Sequence, residues 1–358
     1  MISYGRQSIS SADIEAVAAV LSGNWLTQGP AIEAFEECVA EYVGAKHAVA
    51  YSSGTSALHG AAFAAGLGKG DHVYTSPLTF MASANCARYV GATPRLVDID
   101  DVSLNMKVGD VPSDARGVIV VHYAGLPVDL SGFDRNGRVV IEDAAHALGS
   151  MTPYGPVGNC AHSDMCCFSF HPVKPVTTAE GGIVTTNDDS LAEKLRTFRT
   201  HGIRRDPSVA PWYYEISDLG YNYRMTDIQA ALGLSQMSRI EEFILRRNDI
   251  ADRYHRELDT SKFRLPARAP EGWRHGYHLF VVRSSARRRL YDHLQSAGIM
   301  SQVHYVPVHQ HPISRDIELV QPLTNCDAAY EQILSIPIYP DLSDYDQTLV
   351  IKTLNSFE

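Results

Sequence analysis

The chain has 358 residues, more than one hydrophobic core usually serves, so one large and one smaller domain are expected. With 45% hydrophobic and 20% charged residues it has an ordinary globular composition, and a formal charge of -10 argues against nucleic acid or an anionic membrane surface as partner. No basic-then-apolar leader opens the sequence, no apolar run is long enough to span a bilayer, and six scattered cysteines make no dense framework, so a cytoplasmic protein with reduced thiols is expected.

In chain order, a capped helix runs from Ser10, with Asp13 three residues on, to about Leu21. Gly23 to Pro30 reads as a loop and residues 31–43 as a second helix. Apolar runs at 47–52, 72–76, 95–99, 117–123, 138–142, 165–170 and 182–186 read as strands, with helical patterns between several of them, as at 55–66 and 79–90. This alternation predicts an α/β domain on a largely parallel sheet. A long amphipathic helix is expected from about Thr226 to Leu258, followed by a proline- and charge-rich boundary at Leu265 to Trp273. A strand (Tyr277 to Arg283), a helix (Ala286 to Ala297), a strand (Met300 to Val306) and helices at 326–334 and 343–355 complete a smaller α/β domain. The division falls at 1–265 and 266–358.

Ligands of open α/β sheets sit where strands end and helices begin, and three such places carry suggestive residues. At Tyr51-Ser52-Ser53-Gly54-Thr55-Ser56 a strand passes into a helix, and the amides of Gly54, Thr55 and Ser56 with two hydroxyls can cradle a phosphate. A serine-capped turn explains the same letters. At Ile141-Glu142-Asp143-Ala144-Ala145-His146 a buried strand delivers Asp143 to the carboxyl edge, where a pyridinium nitrogen is a suitable partner and His146 can touch a ring hydroxyl. A helix cap and a core histidine are the plainer alternative. In Ser169-Phe170-His171-Pro172-Val173-Lys174-Pro175, two prolines hold one lysine in a stiff turn between buried strands. Burial disfavours its ammonium form and frees an amine to attack a carbonyl. Phe80 is a candidate ring to stack on a flat cofactor.

Phosphate cradle, strand-end carboxylate, aromatic and desolvated lysine together match pyridoxal 5'-phosphate. Rival motifs fail. Gly66-Leu67-Gly68-Lys69-Gly70 follows a helix and lacks a third glycine, and no G-x-x-x-x-G-K-[ST] run exists. Cys160, His162, Cys166 and Cys167 contain no C-x-x-C pair, and neighbours on a strand point oppositely, so no metal is expected.

With Trp25-Leu26-Thr27-Gln28-Gly29-Pro30, Glu180-Gly181-Gly182, Gly220-Tyr221-Asn222-Tyr223-Arg224-Met225-Thr226-Asp227 and His304-Tyr305-Val306-Pro307-Val308-His309, these motifs make the chain resemble, nearly end to end, the sugar-nucleotide aminotransferases of the DegT/DnrJ/EryC1/StrS group. The resemblance implies fold type I, the aspartate aminotransferase-like fold, with a seven-stranded large domain. Tyr4-Gly5-Arg6-Gln7-Ser8-Ile9, Thr79 to Ala87, Pro175 to Glu180 and Trp212-Tyr213-Tyr214-Glu215 look most like enzymes of pseudaminic acid synthesis. Those aminate C4 of UDP-4-keto-6-deoxy-N-acetyl-beta-L-altrosamine. Implied roles are Lys174 as Schiff-base residue and proton shuttle, Asp143 on the ring nitrogen, His146 on the ring or its hydroxyl, and Ser169, Gly54, Thr55 and Ser56 on the phosphate. Asn222 is implied to reach the phosphate of a neighbouring subunit, so that a homodimer shares its sites. Tyr4, Trp25, Thr27, Tyr305 and His309 match positions near the sugar nucleotide. Arg204, Arg205 and Arg224 are pyrophosphate partners on charge grounds. The implied reaction moves an amino group from L-glutamate to a nucleotide-linked keto sugar, with pyridoxamine 5'-phosphate between the halves. Another UDP- or dTDP-linked keto sugar and a non-catalytic PLP-binding regulator are the alternatives. Two departures stand out: residues 99–117 are short for the group, and His146 replaces its common glutamine.

Overall fold

The computed structural model describes residues 1–358. The first helix, Ser11–Leu21, starts as its sequence predicts: Ser10 Oγ accepts the Asp13 amide and the Asp13 carboxylate accepts the Ser10 amide. The second, Pro30–Val43, opens on proline and stops at Gly44, whose φ of 75° favours a residue without Cβ.

Seven strands form the main sheet: β1 (His47–Tyr51), β2 (His72–Thr75), β3 (Thr93–Leu96), β4 (Ala115–Val121), β5 (Val139–Asp143), β6 (Met165–Ser169) and β7 (Gly182–Thr186). Their spatial order is β1-β7-β6-β5-β4-β2-β3. β7 is antiparallel to both neighbours, and every other pairing is parallel. All seven apolar runs of the sequence are therefore strands, with small shifts at their ends. Because β1 and β6 both oppose β7, they run in the same direction. The carboxyl ends of β1, β5 and β6 consequently share one edge, and that is where the site forms.

Alternation along the strands feeds two cores. Ala48, Ala50, Cys166 and Phe168 pack under Pro30–Val43 and the helix Asp227–Met237, with Phe35 and Phe170 in edge contact at 5.1 Å. Val49, Met165 and Cys167 pack on the other face, under helices Gly54–Ala64, Ala82–Tyr89 and Asp189–Phe198. The adjacent cysteines thus point oppositely, and no three His, Cys, Asp or Glu side chains form a metal-holding group.

In the C-terminal part, Phe280–Arg283 pairs antiparallel with Ile333–Ile336, beside helices Arg287–Ser296 and Asp344–Asn355. Its core also recruits Ile2, Ile250, Tyr254 and Leu258 from outside. A further cluster joins Leu78, Leu96 and Tyr123 to Leu279, Val281 and Cys326, clamping this part over the sheet edge.

The structure corrects three sequence expectations. Thr226 to Leu258 is two helices, Asp227–Met237 and Ile240–Glu257. Gln236 and Arg239 at the break turn inward to bond the buried Asp13, a contact no periodicity records. Met300 to Val306 is not a strand: Met300 N–H bonds Ile2 O while Gln302 exchanges bonds with Ser335, so its pairing is split between two partners. The 326–334 pattern is the short helix Thr324–Tyr330 followed by strand Ile333–Ile336, whose apolar residues complete the two-stranded ladder. Two small ribbons, the half-buried Met151–Thr152 with Gly155–Pro156 and the largely exposed Ile203–Arg205 with Tyr214–Ile216, carry no clear sequence signal. No helix is long and apolar enough to cross a membrane.

Candidate active site

A cavity of about 390 Å³ opens at the shared carboxyl edge. The sheet side contributes Gly54, Thr55, Phe80, Asp143, His146, Ser169 and Lys174, and the C-terminal part contributes His278, His304 and Tyr305. Tyr4 closes one side.

Two glycines bring the anion-binding groups together. Gly182, the first residue of β7, is the Cα partner of both Tyr51 and Ser169. A Cβ at Gly182 would meet Ser53 O at 2.3 Å, and one at Gly54 would meet Ser169 Cβ at 2.8 Å. Without side chains at these positions, the turn after β1 lies directly against the end of β6. The helix that follows leaves its first amides free, as helix N-termini do. Ser53 Oγ caps Ser56 N–H, and Ala57 N–H bonds Ser53 O, so the amides of Gly54 and Thr55 remain for a ligand beside the Ser169 hydroxyl. Ser56 departs from expectation: it is buried, does not line the cavity, and its hydroxyl is spent on Ser53 N–H and Ser53 O. It builds the cap, with both its amide and its hydroxyl engaged within the chain.

Asp143 ends β5 and is 6% exposed. Ser83 Oγ donates to Oδ2 at 2.6 Å and Ala145 N–H to Oδ1 at 3.2 Å. Neither donor carries charge, and a buried carboxylate without a cation costs on the order of several kcal/mol. A cationic ring nitrogen on the cavity side would offset that cost. Sequence reasoning missed Ser83; its only signal is the i, i+4 spacing from Thr79, whose Oγ1 lies 2.8 Å from Ser83 Oγ. It also missed Glu142, which takes hydrogen bonds from His122 and Ser163 behind β5 and anchors the strand that presents Asp143.

Lys174 sits in a loop tied at its base: Phe170 N–H bonds Gly181 O and Thr178 N–H bonds Phe170 O. Val176, Thr177 and Thr178 are buried and anchor the far limb. Burial pushes the pKa of its amine down to about 8, against the opposing pull of Asp143. This is the desolvated amine that the two flanking prolines foreshadow.

His146 is buried, and burial together with Lys174 and His304 holds its pKa well below the usual imidazole range. Both ring nitrogens are engaged inside the chain: Nδ1 is 3.3 Å from Ala124 N and Nε2 is 2.9 Å from Tyr305 Oη. Its ring stands 4.5 Å from that of His278, a cavity residue absent from the sequence reading. Phe80 is 59% exposed at the cavity rim, 5.9 Å from the Tyr305 ring.

Other expected residues are not gathered at this cavity within one chain. His309 is turned away to pair with Asp327 at 2.9 Å. Trp25 and Thr27 are exposed, with Thr27 bridged to Thr226. Arg204 lies 3.7 Å from Glu193, and Arg205 is in the exposed 203–205 ribbon. Arg224 lines a separate depression of about 600 Å³ with Glu36, Lys46 and Arg199. That depression is larger, but its Glu36 and Arg199 neutralise each other and it contains no buried amine. Asn222 is exposed, and backbone bonds hold it in an extended segment: Tyr221 N–H to Phe198 O and Tyr223 N–H to Arg199 O. Tyr221 and Tyr223 stack at 5.0 Å and pack against His59, so alternation turns Asn222 the other way, to the surface.

The donor set fits pyridoxal 5'-phosphate: free amides and a hydroxyl for its phosphate, an unpaired carboxylate for its ring nitrogen, and a desolvated amine for its aldehyde. Comparison with known proteins agrees. Residues 7–355 match the DegT/DnrJ/EryC1/StrS aminotransferase family. The UDP-4-amino-4,6-dideoxy-N-acetyl-beta-L-altrosamine transaminase of Campylobacter jejuni is 34% identical over 99% of this chain and 97% of that protein. Helicobacter pylori PseC, an aminotransferase involved in the biosynthesis of pseudoaminic acid, superposes with a TM-score of 0.91 at 30% identity, covering 99% of this chain and 100% of that one. The PLP-form of Spr1654 from Streptococcus pneumoniae, described as a putative sugar aminotransferase, gives 0.89 at 28% identity over 99% and 97%.

Proposed function

The chain belongs to the DegT/DnrJ/EryC1/StrS aminotransferase family, and we propose that it transfers an amino group from L-glutamate to C4 of UDP-4-keto-6-deoxy-N-acetyl-beta-L-altrosamine, on pyridoxal 5'-phosphate. The observation that carries the reading is the single cavity in which Lys174, Asp143 and the Gly54–Ser169 cradle meet. The likeness to the Campylobacter transaminase and to PseC supports this sugar.

Bound pyridoxal 5'-phosphate supplies an aldehyde that carries the amino group and a ring that stores an electron pair. The residues of the chain do the rest. Gly54 and Thr55 amides with Ser169 Oγ hold the phosphate, and Asp143 holds the proton on the ring nitrogen, itself kept in place by Ser83 and Ala145. Lys174 Nζ, with its pKa brought down to about 8, alternates between neutral amine and ammonium near neutral pH and so takes and returns the proton moved in each half-reaction. The C-terminal part, read as a smaller domain from residue 266, walls the cavity from water with His278, His304 and Tyr305.

A homodimer with shared sites is part of the proposal. It is supported by the outward-facing Asn222 and by exposed apolar residues around it, with Trp212 78%, Leu219 80% and Ile216 64% exposed. Tyr4 is the substrate contact that the cavity favours; Trp25, Thr27, Arg224 and His309 would act only through rearrangement or from a second subunit. Six unpaired cysteines suit a reducing, cytoplasmic setting. The test is borohydride reduction with peptide mapping, then incubation with glutamate and a panel of UDP- and dTDP-linked 4-keto and 3-keto sugars, read by mass and NMR. The expected results are label on Lys174, release of 2-oxoglutarate and a 4-amino product. Label at another residue, or product from none of the sugars, overturns the reading.

A further inference from the structure

One polar side chain of the cavity wall has nothing to bond. His278 is 4% exposed and lines the cavity together with Lys174. Its Nδ1 is buried without a hydrogen-bond partner, and Nε2, also unbonded within the chain, is the nitrogen open to the cavity. Its neighbours on the same wall are occupied: Tyr305 Oη lies 2.9 Å from His146 Nε2, and His304 Nδ1 lies 2.9 Å from Ser335 Oγ. Buried polar groups are almost always paired, so an imidazole left free beside the reactive amine marks a place for a ligand.

The backbone behind His278 is held by a buried cation. Arg247, on helix Ile240–Glu257, is 1% exposed and has no carboxylate partner. Its Nη1 donates to Tyr277 O at 3.1 Å and to Ile338 O at 3.0 Å, and lies 3.4 Å from His278 O. Burial lowers its pKa only to about 10, so it stays charged at neutral pH. Tyr277 has a left-handed φ of 42°, uncommon for a residue with a side chain and kept only where its surroundings enforce it. Arg247 on its carbonyl and His275 Nδ1, 2.8 Å from its amide, supply that constraint. Burial, then Lys174, His146, Arg247 and His304, hold the His278 pKa well below the usual imidazole range, so the ring is neutral.

We propose that His278 is the carboxylate subsite for the amino-acid donor, with Nε2–H donating to a carboxylate oxygen and Arg247 supplying positive charge from behind. This rests on the transamination reading above and adds to it the group that recognises the donor. Two features favour a carboxylate over a neutral group. A cation whose only partners are carbonyls stands against the histidine backbone, and within one chain the cavity is lined by no arginine and by no lysine except Lys174, which the reaction itself uses. The choice of histidine also suits a site that must take two substrates in turn. A neutral N–H serves a carboxylate in one half-reaction and a sugar hydroxyl in the other, whereas an arginine at the same place would be left buried and unpaired when the sugar replaced the amino acid.

The test titrates the full chain, loaded with pyridoxal 5'-phosphate, with two ligands that cannot react: glutarate, which has the carboxylates of glutamate but no amine, and UDP. Both affinities are measured by calorimetry. His278→Leu should weaken glutarate by about tenfold or more, the size of a hydrogen bond to a charged group, and leave UDP unchanged. His278→Gln, which keeps an N–H donor, should recover most of the glutarate affinity. A general loss of packing weakens both ligands alike, so the comparison separates recognition from structure. Glutarate affinity unchanged in His278→Leu, an equal loss for glutarate and UDP, or no recovery in His278→Gln overturns the inference alone. Failure of the wild-type chain to bind glutarate overturns the amino-donor reading itself.

Discussion

Replacing Lys174 by methionine should stabilise the cofactor-free protein while abolishing transfer. An unfolded lysine holds its proton up to about pH 10.5, and the folded one releases it at about 8. Between these values the unfolded chain binds more protons, so the folded wild-type chain gains stability as pH rises through that window. Below about pH 8 the whole cost of burying the ammonium is present. The full shift corresponds to about 3 kcal/mol, and water in the open cavity screens part of it, leaving about 2–3 kcal/mol. Methionine keeps the stem and removes the charge. Urea unfolding of both proteins at a series of pH values should therefore show Lys174→Met more stable by that margin at pH 7. The gap should close towards pH 10.5, while groups common to both proteins cancel. A gap of zero at pH 7 would mean the amine is well solvated; a gap that does not change with pH would mean the gain is packing and not charge.

Two other outcomes follow from the geometry. Gly54→Ala places a Cβ within 2.8 Å of Ser169 Cβ, so the turn must shift: the melting temperature should fall moderately and pyridoxamine 5'-phosphate affinity by calorimetry at least about tenfold; unchanged affinity would remove the anion cradle from this turn. If Asn222 serves a neighbouring subunit, Lys174→Ala and Asn222→Ala should each be inactive alone, yet regain activity when refolded together, since a mixed dimer contains one intact pair; about one quarter of sites would be restored at equal mixing, and no regain would keep each site within its own chain.

Much of the fold was legible because its signals are local. The seven strands are short apolar runs cut by glycine and proline, and the first helix announces itself by Ser10 and Asp13. The same holds for the central chemistry: Lys174, Asp143 and Gly54 lie at strand ends, where the chain order alone brings reactive groups to one edge. The C-terminal part was read less well. Residues 300–306 carry spaced apolar residues and 333–336 a short apolar run, and only the pairing with Phe280–Arg283 decided which became a strand.

The sequence by itself determined the sheet, the lysine turn and the family, because each depends on residue types at fixed short spacings. Tertiary structure alone decided what the polar side chains do once they meet. Ser56 is spent on its own helix cap, Ser83 reaches Asp143 across 60 residues, and His146 is occupied at both nitrogens by Ala124 and Tyr305. A hydrogen bond is satisfied by whichever partner the fold brings within about 3 Å, and that distance is not written in the order of the letters.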